Sequence, residues 1–99
     1  MNTKDYGIKE LENEFGPLTF GNALGSFRLG KGVSQKVFAK SLGITPQSLC
    51  DLEKSRRIPS PGRAAKIAKK LKEPIAFWVQ LSFQDTIRKE ELKLKVSVA

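Results

Sequence analysis

Residues 33–58 read VSQKVFAKSLGITPQSLCDLEKSRRI, and the reading of this stretch decides the fold. Ser34 is placed to cap a helix that begins at Gln35, because its hydroxyl can accept from an unpaired first-turn N–H. Phe38, Ala39 and Leu42 then fall on one helical face. Gly43 tolerates the left-handed conformation in which a helix often ends. Thr45 restarts the pattern as a second cap. Pro46 suits the first turn, where the N–H it lacks has no intrahelical partner. Leu49 and Leu52 form the inner side of this second helix, which leaves Gln47, Ser48, Asp51 and Lys54 facing away. Ala39 is small enough to let the second helix cross closely over the first, and Ile44 can plug the turn. Two short helices joined by Gly-Ile-Thr make a helix-turn-helix; an ordinary helical hairpin carries the same punctuation, so these signals alone leave both open.

The residues themselves narrow the choice. Ser34-Gln35, Ala39, Leu42-Gly43-Ile44-Thr45, Leu49, Leu52-Glu53 and Arg57-Ile58-Pro59-Ser60 resemble, at fixed spacing, the lambda-repressor-like (Xre-type) DNA-binding family. The resemblance covers roughly residues 19–72 and, more loosely, the tail. It implies an all-α, five-helix domain. Ser55 departs from the pattern, since the family commonly has Gly after the recognition helix. The resemblance also implies a structural ion pair between Arg28 and Glu53, joining the first helix to the third.

Charge agrees with a polyanionic partner. The chain has 99 residues and a net charge of +8. Residues 1–20 hold two lysines against four acids, whereas residues 21–72 hold twelve Lys and Arg against Asp51 and Glu53. A basic patch of this kind is either a solvated face or a phosphate-binding surface, and its coincidence with the motif favours nucleic acid. One cysteine and no histidine argue against an intramolecular disulfide, a metal cluster and Cys–His chemistry. Asp51 and Glu53, two apart on a helix, point in different directions and make a poor acid/base pair. Neither a catalytic site nor a cofactor is therefore expected. No apolar run approaches a membrane span, so a cytoplasmic protein is expected.

Three segments follow from the pattern. Residues 1–17 form an acidic extension in which Tyr6, Ile8, Leu11 and Phe15 suggest a short amphipathic helix packed on the domain edge. Residues 18–73 hold the DNA-binding domain. Thr19 caps its first helix, whose inner stripe is Phe20, Ala23, Leu24 and Phe27. Ser60 and Pro61 start its fourth, with Ala64, Ile67, Ala68 and Leu71 inside. Residues 74–99 are assigned to dimerisation. The helix PIAFWVQLSFQDTIRK carries two apolar stripes. Ile75, Trp78 and Leu81, with Phe77 alongside, close the domain; Ala76, Val79, Phe83 and Ile87 meet a second copy. The tail LKLKVSVA alternates with strand period, so Leu92, Leu94, Val96 and Val98 are expected on one face of a β-strand that pairs between protomers.

The second helix of the motif is expected in the major groove of double-stranded DNA. Gln47 leads the base readers, because its amide matches the N6 and N7 edge of adenine. By resemblance Asp51 faces a base one turn later; Ser48 reads a base or a phosphate. Pro46 stands where many relatives carry a polar reader, which leaves it a thymine methyl. Gln35 is expected to hold a phosphate at a helix N-terminus. Lys54, Arg56 and Arg57 are expected backbone contacts, with Lys36 and Arg63 as further candidates. Cys50 reads as a packing residue. The function expected is a dimeric repressor of a short palindromic operator. The alternative is an antitoxin, resembling the HigA type, that binds a toxin protein and represses its own operon.

Overall fold

Four hydroxyl side chains start four helices. In the computed structural model, which describes residues 18–98, Thr19 Oγ1 accepts from the Asn22 N–H at 3.0 Å and opens α1, Phe20–Lys31. Ser34 Oγ accepts from the Val37 N–H at 3.2 Å and opens α2, Gln35–Leu42. Thr45 Oγ1 accepts from the Ser48 N–H at 3.1 Å and opens α3, Pro46–Glu53. Ser60 Oγ accepts from the Arg63 N–H at 3.2 Å and opens α4, Pro61–Leu71. Each bond satisfies an N–H that the helix cannot pair internally. Between α2 and α3, Gly43 adopts a left-handed φ of 71° and turns the chain after one residue.

The last helix, α5, runs Ile75–Val98 and packs chiefly along α4, while α1 lies across α3. Their shared interior holds Phe20 and Leu24 of α1, Phe38, Ala39 and Leu42 of α2, and Leu49 and Leu52 of α3. Ala64, Ile67, Ala68 and Leu71 of α4 and Trp78 and Leu81 of α5 complete it. Trp78 is the centrepiece. Phe20, Phe27 and Phe77 meet its ring edge-on, with centroids 5.3, 6.3 and 5.6 Å away. Such pairs add roughly 0.5–1.5 kcal/mol beyond the area they bury. Polar groups pin the same helix. Ser82 Oγ donates to the Pro59 carbonyl at 2.6 Å, and the Phe20 N–H donates to Asp85 Oδ2 at 3.0 Å.

The expected C-terminal β-strand is not there. Residues 92–98 continue α5, and no β-strand occurs among the described residues. A strand leaves its backbone N–H and C=O groups to be paired by a neighbour; a helix pairs its own. The segment around residues 88–95 is rich in Arg, Lys, Glu and Leu, all good helix formers, so continuation is also locally favoured. The correction rearranges the apolar residues. Leu92 and Val96, four apart, extend the line of Asp85 and Lys89 on the domain side. Leu94 joins Phe83 and Ile87 on the opposite side, the three within about 40° around the helix axis. Phe83, Ile87 and Leu94 are 52%, 56% and 64% exposed, whereas Val79 packs partly against the core. Of the stripe expected to close the domain, Trp78 and Leu81 are buried, but Ile75 and Phe77 stay about two-fifths exposed. The amphipathic helix expected around Tyr6, Ile8, Leu11 and Phe15 lies outside the described residues.

Candidate nucleic-acid interface

The motif is held from inside by one charge network. Arg28 donates to Glu53 twice, from Nε to Oε2 at 2.8 Å and from Nη2 to Oε1 at 3.1 Å. Its Nη1 donates to the Val33 carbonyl at 3.1 Å, at the start of the α1–α2 connection. Gln35 Nε2 donates to Glu53 Oε1 at 3.2 Å. Hydrogen bonding to Glu53 raises the guanidinium pKa further, against the opposing effect of its desolvation. A bidentate pair fixes direction as well as distance. Here it sets α1, the N-terminus of α2 and the C-terminus of α3 in one arrangement. Gln35 is thus half-buried and committed to Glu53 through one N–H; the second N–H of the same amide is the donor it has for a phosphate.

On the outer side of α3 a second, exposed group of side chains is linked. Gln47 Nε2 donates to Asp51 Oδ1 at 3.1 Å, one turn along the helix. Arg56 Nη1 approaches the same oxygen at 3.5 Å. Pro46 and Gln47 are exposed, and Asp51 and Ser48 are half-buried. Ser48 is drawn into the cap, where its Oγ accepts from Thr45 Oγ1 at 3.0 Å. Cys50 is half-buried beside Leu49. Asp51 is the junction of the outer group, because its main chain also organises the exit from α3. Its carbonyl accepts from the N–H groups of Arg56 and Arg57 at 2.9 and 3.3 Å. Ser55 completes that turn in a left-handed conformation with φ of 59°.

The cations flank this edge unevenly. Lys36, Lys54, Arg56 and Arg57 are exposed, and Arg63 is half-buried in the first turn of α4. Chemically, the outer side of α3 offers an amide that both donates and accepts, and a carboxylate that accepts, with guanidinium groups at its exit. That inventory suits base edges between two phosphate-lined strands.

Four contributors escaped the reading of the sequence. Gly21 and Gly25, one turn apart on α1, give α3 its close approach. A methyl group built on Gly21 would strike the Leu52 carbonyl and stand 2.7 Å from that of Glu53, and one on Gly25 would touch the Glu53 carboxylate at 3.5 Å. Their i, i+4 spacing beside Leu24 was the available signal. Lys70 donates to the Leu42 carbonyl at 2.7 Å and finishes α2. Asp85 is buried at the N-terminus of α1, and a lone acid within an apolar helix was its signal.

Among the described residues no group of His, Cys, Asp or Glu side chains is arranged to hold a metal, and no helix is long and apolar enough to cross a membrane. A family model described as helix-turn-helix matches residues 24–78, from within α1 to the first turn of α5. Neither a curated protein nor a solved structure matches the chain significantly.

Proposed function

The chain belongs to the lambda-repressor-like (Xre-type) helix-turn-helix family, whose members are DNA-binding transcription regulators, and from that premise we propose a dimeric repressor of a short palindromic operator in the cytoplasm. The observation that carries this reading is the pairing of opposite orientations on α3. Glu53 turns inward to Arg28, while Gln47 and Asp51 turn outward beside Arg56. The eight residues of α3 span about 12 Å, which fits a major groove about 12 Å wide.

In this reading Gln47 addresses adenine and Asp51 accepts from a cytosine amino group. Ser48 and Pro46 make the neighbouring contacts. Gln35, Lys36, Lys54, Arg56, Arg57 and Arg63 hold phosphates. Phe83, Ile87 and Leu94 form the seam with a second copy through helix-to-helix packing, which removes exposed apolar surface from water. Two copies then present α3 to half-sites about 34–36 Å apart.

The test is fluorescence anisotropy of the upstream duplex and a scrambled duplex at low and moderate salt, with the unsubstituted chain and Gln47→Ala. Binding should prefer the upstream duplex and weaken steeply with salt. Gln47→Ala should relax preference at one position per half-site. Unchanged affinity for every operator variant would remove Gln47 as a reader. The exposed seam on α5 would equally suit an antitoxin's toxin partner. Co-purification of a ribonuclease-like protein, lost on Phe83→Asp, separates that role from self-association.

A further inference from the structure

A cleft of about 380 Å³ opens between α5, the start of α1 and the exit loop of α3. Its walls include Thr19, Arg56, Ile58, Arg88, Lys89 and Leu92. Ile58 and Leu92 make an apolar floor, and Leu92 is 58% exposed although it lies on the domain side of α5. Three cations surround that floor. The one acid in the wall, Asp85, is already engaged, through Oδ2 with the Phe20 N–H and through Oδ1 with Arg88 at 3.4 Å. The cleft therefore suits an apolar side chain flanked by carboxylates.

We propose that residues 1–17 of the same chain occupy this cleft. The charge is complementary: the segment holds Asp5, Glu10, Glu12 and Glu14 against Lys4 and Lys9, with Leu11 and Phe15 interleaved among the glutamates. The connection is short. Thr19 is itself part of the wall, so the segment enters from the rim. Five extended residues reach about 17 Å, while Arg88 and Leu92 are only about 6 Å apart along α5. Leu11 and Phe15 cover Ile58 and Leu92, and the glutamates face Arg56, Arg88 and Lys89. Docking has a consequence for the interface, because Arg56 also reaches Asp51 on α3. The segment and a DNA phosphate then compete for one guanidinium.

The experiment places a nitroxide at Gly7→Cys in the full chain with Cys50→Ser and follows methyl resonances. Docking broadens Ile58 and Leu92 strongly and spares Ile87 and Leu94 across the helix. Equal broadening on both sides of α5 would overturn the proposal. So would broadening seen only when spin-labelled and isotope-labelled chains are mixed, since the occupant would then be a second copy. Arg88→Glu with Lys89→Glu should abolish the Ile58 and Leu92 broadening. High salt should weaken it in the unsubstituted surface, a check that needs no substitution in the cleft. Operator DNA should reverse it at least in part. That last arm rests on the DNA-binding reading, whereas broadening without DNA does not, so the two failures are distinguishable.

Discussion

Arg28 grips Glu53 through two N–H···O bonds of 2.8 and 3.1 Å, with side chains only 15% and 9% exposed. The pair joins the first helix to the last turn of the third, and both ends are poorly hydrated. Its value lies in geometry, since desolvation offsets much of the Coulomb attraction. Removing one member leaves the other buried without its counter-charge. Arg28→Met and Glu53→Leu should each lower unfolding stability by about 3 kcal/mol, and the double substitution should recover most of that loss. Urea unfolding of the three variants gives the coupling. Additive losses would mean that the two residues act independently.

Gly21 provides a test whose sign decides the matter. In an exposed helix, Gly→Ala stabilises by roughly 0.5–1 kcal/mol. At Gly21 the new methyl meets the backbone carbonyls of Leu52 and Glu53, which cannot move without shifting α3. Gly21→Ala should therefore destabilise by about 1–3 kcal/mol, as overpacking does. Gly30, in the same helix, has nothing within 4 Å of an added methyl, and Gly30→Ala should stabilise. Thermal unfolding of both variants suffices; a gain at both positions would show that α1 and α3 have slack between them.

How much of this was legible in the sequence depended on distance along the chain. Caps at Ser34, Thr45 and Ser60 and the turn at Gly43 were readable, because a cap joins residues three apart and the signal is local. Trp78 and Leu81 were readable from helical period. The tail was misread because alternation in LKLKVSVA describes a face only once the backbone state is known. Helical winding separates Leu94 from Leu92 and Val96, and α5 had no reason to stop. Gly21 and Asp85 were missed for another reason. Each matters through a partner more than thirty residues away, and composition carries no trace of such an approach.

Ser55 stores strain at the exit of α3. Its φ of 59° puts a side chain where Cβ crowds the carbonyl oxygen, at roughly 1–2 kcal/mol. Glycine removes that crowding and loses part of the gain to its larger unfolded-state entropy. Ser55→Gly should stabilise by about 0.5–1 kcal/mol, and Ser55→Val should destabilise, because a branched Cβ fits this conformation worst. Chemical denaturation midpoints distinguish the outcomes. A loss of stability in Ser55→Gly would mean that the hydroxyl, which lies near Gly21, contributes more than the conformation costs.

Asp85 should give the protein an unusual acid response. Burial raises its pKa, against the opposing pull of the Phe20 N–H and of Arg88. Between the ordinary carboxylate range and the raised value, the folded chain holds more protons than the unfolded chain. Stability from this group is therefore complete at the acid end of that window and declines as pH rises through it. Asp85→Asn keeps an acceptor for the Phe20 N–H and removes the titration. It should be at least as stable as the parent at neutral pH, and its advantage should shrink on acidification. Asp85→Ala leaves the Phe20 N–H without its acceptor and should cost about 1–3 kcal/mol at every pH. Urea unfolding of the parent and both variants across the acid range reads all of this. If the parent instead loses stability relative to Asp85→Asn on acidification, the α1 N-terminus and Arg88 outweigh burial, and the carboxylate is a helix anchor that works by its charge.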